Sequence, residues 1–327
     1  MMVAAGIGAF AVIDLVIHVG WQRIGQTLGV AGFGLLWLIP LRLLTVGLDT
    51  RGWRALLKMR RQASWALLFW LGMIRDAVNT LLPVARVGGE VIAIRLLRLK
   101  GVKTCTASAS VIVETSVTLV WQVFLTVAGI GALLPYVGAS FLVPKLLGAL
   151  AIGVFVVVVF LAIQWRMGLV GFFERLSAQF FRNRRGPAPV LRTLDQKVRI
   201  LYRRRRALLR CAMWQLFGFV GSAAEIFLLG HLMHASLSVA QVFIFEALIQ
   251  ALHSVSFAVP GAIGVQEGGF VVLGSVLGVA PDIALSMALC RRGRQIVLGV
   301  PVLMSWQWFE RRHKQRASRE EFATLPV

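Results

Sequence analysis

Two stretches of this 327-residue chain carry the same pattern. Pro83 opens Pro-x6-Glu in LPVARVGGE, Pro260 opens it in VPGAIGVQE, and a Gly-Val follows eleven residues after each glutamate. The chain therefore repeats itself at an offset of 177 residues, pairing Glu90 with Glu267, Leu96 with Leu273, Gly101-Val102 with Gly278-Val279 and Ala107 with Ala284. Each copy puts a helix breaker and a carboxylate inside an apolar stretch, where an unpaired backbone group or charge is expensive unless it lines a polar cavity. Function is therefore to be sought between these two segments.

An apolar share of 58% and a mean hydropathy of +0.78, with several runs of about twenty apolar residues, exclude an ordinary globular domain. The chain reads as an all-α, polytopic membrane protein. Its first run, Met2 to Val19, lacks a basic start and a small-residue cleavage site and contains Asp14, so it reads as a retained span rather than a signal peptide. Cys105, Cys211 and Cys290 match no ligand spacing and read as apolar fillers.

A net charge of +21 would suggest nucleic acid in a soluble protein, but its placement argues for topology instead. Five Lys and Arg lie between Arg51 and Arg61, five between Arg86 and Lys103, twelve between Arg166 and Arg206 and five between Arg311 and Arg319. These stretches read as cytoplasmic. The connections 20–29, 135–145 and 233–240 hold only Arg23 and Lys145, and read as the opposite side. Spans are expected near 2–19, 30–49, 105–134, 144–165, 208–232 and 283–309, with both termini cytoplasmic. The stretches 64–100 and 240–279 must then enter and leave on one side each, as re-entrant helical hairpins with tips near the Pro-x6-Glu motifs.

The offset also lays 30–48 on 207–225, so the unit is span, span, hairpin, span. An odd number of crossings makes the second copy inverted in the membrane, an architecture recurrent in transporters. A symmetric scaffold without transport is the plainer reading. The expected division is a first repeat over 1–134, a second over 135–310, and a basic tail over 311–327. Within the second lies an insertion, 166–206, in which Leu169, Phe172, Phe173, Leu176 and Phe180, then Leu191, Leu194, Val198 and Leu201, recur at helical spacing. It reads as a pair of interfacial amphipathic helices on anionic inner-leaflet phospholipids, or as a solvated basic loop.

Chemistry must rest on intramembrane charge. Asp14, Asp76, Glu90, Glu114, Glu225, Glu246 and Glu267 fall in or beside apolar segments, where each costs about 2.5–3.5 kcal/mol or more unless paired or hydrated. Glu90 and Glu267 precede the second limbs of the hairpins, so they can cap helix N-termini, carry protons or bind a headgroup. Glu114 falls on Arg291 under the offset, which suggests a direct salt bridge; alternatively Arg291 and Arg86 hold a lipid phosphate in bidentate fashion. Gly89, Gly261 and Gly264 allow the chain to unwind at the tips. There is no Walker loop, HExxH, CxxC or GxSxG, so no enzyme, metal or cofactor is expected.

At these residues the sequence resembles the flippase-like membrane domain of the lysylphosphatidylglycerol synthase superfamily. The resemblance is carried by NTLLPVARVGGE with RLLRLKGV, by SVIVETSV, by VPGAIGVQEGG with GSVLGV, and by the arginines of ALCRRGR. The VGGEV-x3-RLL form is most similar to the hopanoid-biosynthesis-associated subgroup. The resemblance implies a bacterial inner-membrane protein that moves or handles a lipid, with possible lipid-biosynthesis enzymes as partners, and no nucleic acid. It implies a site role for Pro83, Gly89, Glu90, Glu114, Pro260, Gly261, Gly264, Glu267 and Arg291. Ala93 and Thr115 stand where many relatives have arginine, with Arg95 close to the former. No aminoacyl-transferring domain follows within this sequence, so lysine transfer is not expected.

The charge pattern makes a checkable statement about sidedness. A Ser236→Cys variant should react with a membrane-impermeant maleimide added outside the cell; labelling from the cytoplasmic side alone would contradict the topology.

Overall fold

A computed structural model describes residues 16–57, 63–82, 88–137, 188–255 and 263–323, and these are helical with no strand. The elements are α1 (Trp21–Ala31), a 3-10 turn (Gly32–Trp37), α2 (Leu38–Leu56), α3 (Trp65–Leu81), α4 (Gly88–Leu99) and α5 (Thr104–Val137). They continue with α6 (Ala188–Arg203), α7 (Arg205–Leu232), α8 (Val239–Val255), α9 (Val265–Val276) and α10 (Pro281–Ala323). Among the described residues, three runs are long and apolar enough to cross a membrane: Gln22–Leu56, Thr104–Val137 and Arg205–Leu232. The expected spans 2–19 and 144–165, with the phenylalanine stripe of 169–180, lie outside the described residues. So do Pro83, Arg86, Pro260 and Gly261.

The offset of 177 maps α4 onto α9 residue for residue, and the first residue of α5 onto the first of α10. Both short helices end in the same way. Gly101 and Gly278 take φ of 86° and 75°, a left-handed conformation natural to glycine, while Val102 N–H donates to the Leu97 carbonyl and Val279 N–H to the Gly274 carbonyl. The repeated Gly-Val is a helix stop whose valine is buried. At about 1.5 Å per residue, a twelve-residue helix reaches about 18 Å, short of a hydrocarbon core of about 30 Å.

Packing follows the repeat reciprocally. The first limb α3 packs on α10 and the first limb α8 packs on α5, so each short pair leans through one limb on the long helix of the other half, while its second limb, α4 or α9, packs on the long helix of its own half. Trp70 donates to the Ser305 hydroxyl at 3.0 Å in one joint, while Gly129 meets Ala247 in the other, and these two pairs are repeat counterparts to within one residue. The broadest contact joins α2 to its own counterpart α7. Gly34 meets Leu232, Thr45 meets Gly221, Asp49 meets Gly218 and Gly52 meets Cys211 and Trp214, so the two helices run antiparallel. Two cores result, one around Phe245, Phe270 and Ile226, the other around Leu68, Ile74, Leu96 and Trp53.

Two expectations change. Residues 20–29, expected as a bare connection, form α1, because Ile24, Leu28 and Ala31 recur at helical spacing and pack inward while Gln22, Arg23 and Gln26 stay outside. The apolar stripe of α6, expected in the membrane interface, packs on protein instead: Leu194, Val198 and Leu201 meet Leu56, Ala109 and Val113. A stripe of that kind fits any apolar surface, and α5 supplies one nearer. The helices α1 and α6 are themselves counterparts, Ile24 falling on Leu201, so the repeat begins earlier than the spans suggest.

Gly89 is where the first pair closes most tightly. A Cβ there would lie 2.7 Å from the Arg75 carbonyl oxygen and 2.8 Å from its Cα, both backbone atoms that cannot turn aside. Gly89→Ala should destabilise the folded protein by about 1–3 kcal/mol. Gly131→Ala, which meets nothing within 4 Å, should be neutral or mildly stabilising. Equal thermal shifts in detergent would refute this close approach.

Candidate functional site

The centre of the molecule is an array of ion pairs carried by eight helices. In the first half Arg75 of α3 is the hub. Its Nη1 donates to Glu114 Oε2 of α5 at 2.7 Å, its Nη2 lies 3.4 Å from Glu90 Oε1 of α4, and its guanidinium sits 5.0 Å from the Trp53 ring centre. Asn79 donates to both oxygens of Glu90 at 3.2 Å, and its own carbonyl accepts from Gly89 N–H at 2.9 Å. Trp53 is fixed in turn by donating to Ser110 at 3.1 Å. One arginine therefore ties the two limbs of the first pair to the long helix that follows them.

In the second half the signs are exchanged. The arginines come from the long helix α10, and the acids from the short pair and α7. Arg292 donates through Nε and Nη2 to Glu267 Oε1 at 3.0 and 2.9 Å, while Glu267 Oε2 accepts from Gly264 N–H at 2.8 Å. Arg291 reaches Glu246 at 3.1 Å and Glu225 at 3.5 Å, and Arg294 reaches Glu225 at 2.5 Å. Gln250 donates to Glu246 at 2.7 Å. The glutamates are all but sealed, each 1% exposed or less. Buried pairs of this kind hold because the carboxylate accepts several donors, which offsets the loss of water.

Also within the first half, Arg42 of α2 grips Asp76 of α3 through two nitrogens, one of them at 3.2 Å. This pair, with Thr80, Arg294 and Gln295, lines a small cleft where α2, α3 and α10 meet.

Of the expected site residues that are described, Glu90 and Glu114 meet on Arg75, while Glu267 and Arg291 take separate partners in the second half. Glu267 both caps its helix, through Gly264 N–H, and holds Arg292, whereas Glu90 lies in the first turn of α4 and is bonded by the side chains of Arg75 and Asn79. Glu114 and Arg291 do not pair: Glu114 goes to Arg75, and Arg291 is engaged by Glu225 and Glu246. Glu90 holds Arg75, and Glu267 holds Arg292 rather than Arg291, while Arg86 lies outside the described residues. The sequence reading missed Arg42, Arg75, Arg292 and Arg294 as individual partners. Arg292 has a trace in the sequence, since it falls on Thr115, one of the two positions where an arginine of the family pattern is missing from the first half.

Burial and partner number rank these pairs. Glu225 serves two arginines and is 1% exposed, whereas Glu90 shares Arg75 with Glu114 and its side chain is 20% exposed. Glu225→Gln should cost about 3–5 kcal/mol of stability, and Glu90→Gln about 1 kcal/mol or less. Fluorescence-detected size-exclusion after heating reads the order, and a reversed order would contradict it.

Residues 1–302 match the family model described as the lysylphosphatidylglycerol synthase TM region. No curated protein and no solved structure is detectably similar. With that match over most of the chain, and with apolar helices of spanning length, the protein is a membrane protein that belongs to the lysylphosphatidylglycerol synthase transmembrane-region family.

Proposed function

We propose that this protein is a lipid flippase of the bacterial inner membrane, non-enzymatic, with both termini in the cytoplasm. It moves the headgroup through a polar path between two re-entrant hairpins, α3–α4 and α8–α9, while the acyl chains stay in the bilayer. Hopanoid-related or other polar lipids are the substrate class that the subgroup resemblance suggests. The observation that carries this reading is the pair of interrupted short helices at repeat-equivalent places, each with its glutamate on a membrane-depth arginine. Antiparallel packing of α2 on its counterpart α7 supports an inverted repeat, and the reciprocal leaning of each hairpin on the other half supports exchange between two conformations.

A headgroup crossing the bilayer needs a counter-charge at every depth, because an uncompensated charge there costs several kcal/mol. Ion-pair exchange supplies it. A headgroup phosphate takes over the guanidinium of Arg75 or Arg292, and the released glutamate receives the headgroup's donors. Arg75 suits this role because Glu114 holds it in place when Glu90 lets go. The competing reading, a scaffold or accessory factor in lipid biosynthesis, draws on one observation: Arg291 is already held by two carboxylates.

The double variant Glu90→Gln with Glu267→Gln separates the two. Glutamine keeps an oxygen to accept from Asn79 and from Gly264 N–H, so the protein should still fold and insert. Translocation of a fluorescent phospholipid in proteoliposomes should fall by about tenfold or more, the effect of about 1.4 kcal/mol on the barrier. An unchanged rate would leave these carboxylates only a capping role and favour the scaffold.

A further inference from the structure

The α2–α7 pair has a basic end, with Arg51, Arg54, Arg205 and Arg206, and an opposite end where Gly34 meets Leu232. At that opposite end lies an open groove of about 480 Å³, the size of a small-ligand site. Arg23 and Val30 line it from α1, Met233 and His234 from just past the end of α7, and Asp282 and Ile283 from the start of α10. The groove thus sets a guanidinium, an imidazole and a carboxylate beside apolar surface. Among the described residues, the side chains of Arg23, His234 and Asp282 have no ion pair or hydrogen bond, unlike the arginines of the central array. Under the offset their counterparts are Ile200, Leu57 and Cys105, which carry no charge, so the combination occurs at one end only.

The backbone singles out one of these residues independently. His234 N–H donates to the His231 carbonyl at 3.2 Å and Ala235 N–H to the Gly230 carbonyl at 2.8 Å, which is the pattern that Gly101 and Val102 make on Arg98 and Leu97 at the end of α4. In α4 and α9 the left-handed residue of this helix stop is glycine. In α7 it is His234, at φ 54°, the one non-glycine with positive φ among the described residues. A side chain is strained there relative to glycine, so the turn alone does not account for a histidine. What the histidine adds is an imidazole on the groove wall.

We propose that this groove binds a phosphate ester that carries a primary ammonium, in the form of a phosphoethanolamine-type lipid headgroup. Arg23 and His234 donate to the phosphate oxygens, and Asp282 accepts from the ammonium. A headgroup with phosphate alone would leave Asp282 facing like charge. A quaternary ammonium has no N–H for a carboxylate, and no Phe, Tyr or Trp among the described residues lines the groove to hold it by a ring face. Val30, 58% exposed, with Met233 and Ile283 offers the glycerol and first acyl carbons an apolar surface. Asp282 precedes Arg291 by nine residues and Met233 follows Glu225 by eight, so the groove lies about 12–14 Å along two helices from the second-half ion pairs. On the flippase reading this is the outward end, and the groove is where a headgroup docks before or after crossing.

The groove's place in transport rests on the flippase reading, but its binding chemistry does not, so binding is what the test measures. Full-length protein in detergent is titrated with dioctanoyl phosphatidylethanolamine, the matching phosphatidylglycerol and phosphatidylcholine, and soluble glycerophosphoethanolamine, with occupancy read by native mass spectrometry. Phosphatidylethanolamine should bind about tenfold more tightly than the other three. Arg23→Gln should weaken it about tenfold, and Asp282→Asn, which keeps an oxygen in the first turn of α10, should bring it level with phosphatidylglycerol. His234→Gly should weaken it while melting no lower than the wild type, a split that a purely structural histidine would not give. Equal affinity for the three lipids, soluble ester bound as tightly as lipid, unchanged affinity in Arg23→Gln and His234→Gly, or a preference that survives Asp282→Asn would each overturn the proposal. A wild type that shows the predicted binding but moves no lipid in proteoliposomes would refute the flippase reading and leave the groove assigned.

Discussion

A guanidinium in the middle of a membrane has to be met by a carboxylate, and the rest of this structure is arranged around that requirement. Arg42, Arg75, Arg291, Arg292 and Arg294 each reach an acid on a different helix, across 25 to 69 residues of chain. Such pairs add little net stability over apolar packing, but removing one partner is costly, so they select one arrangement of helices among those that hydrophobic packing alone would allow. In this protein they tie short helices to long ones. The short helices cannot span by themselves, and their interrupted ends would expose backbone groups to hydrocarbon without polar neighbours.

The exchange of sign between the halves gives the pseudo-symmetric architecture two unequal sites. In the first, the arginine sits on the short pair and the acids partly outside it. In the second, the acids sit on the short pair and α7, and the arginines on α10. Two halves with the same backbone therefore offer a headgroup different contacts. In the proposed inverted repeat, identical charges would favour neither direction, whereas unequal ones give a direction something to rest on.

Much of the fold was legible in the sequence because it rests on local rules. The Gly-Val stops, the breaks before the two glutamates and the spans 30–49, 105–134 and 208–232 follow from helix capping, glycine conformation and apolar length. The short helices fall within three residues of the stretches 64–100 and 240–279. What was not legible depends on neighbours distant in sequence. Nothing in the spacing of Arg75 and Glu114, 39 residues apart, marks them as a pair, and the offset that exposed the repeat suggested Glu114 with Arg291 instead. The repeat aligns equivalent positions, whereas salt bridges join complementary ones. The stripe on α6 was misjudged for a related reason: amphipathic spacing fixes which face is apolar and leaves open what covers it.

The central claim is that the two halves rearrange against each other across the joints in which each short pair leans on the opposite long helix. A disulfide across one joint tests it most directly. A Cβ at position 129 would lie 2.8 Å from that of Ala247, so a Gly129→Cys, Ala247→Cys pair can be bridged after the helices part by about 1 Å. The account predicts that oxidised protein in proteoliposomes stops moving lipid and that reduction restores it, with each single-cysteine variant unaffected by oxidant. Full translocation by protein shown to be cross-linked would contradict it.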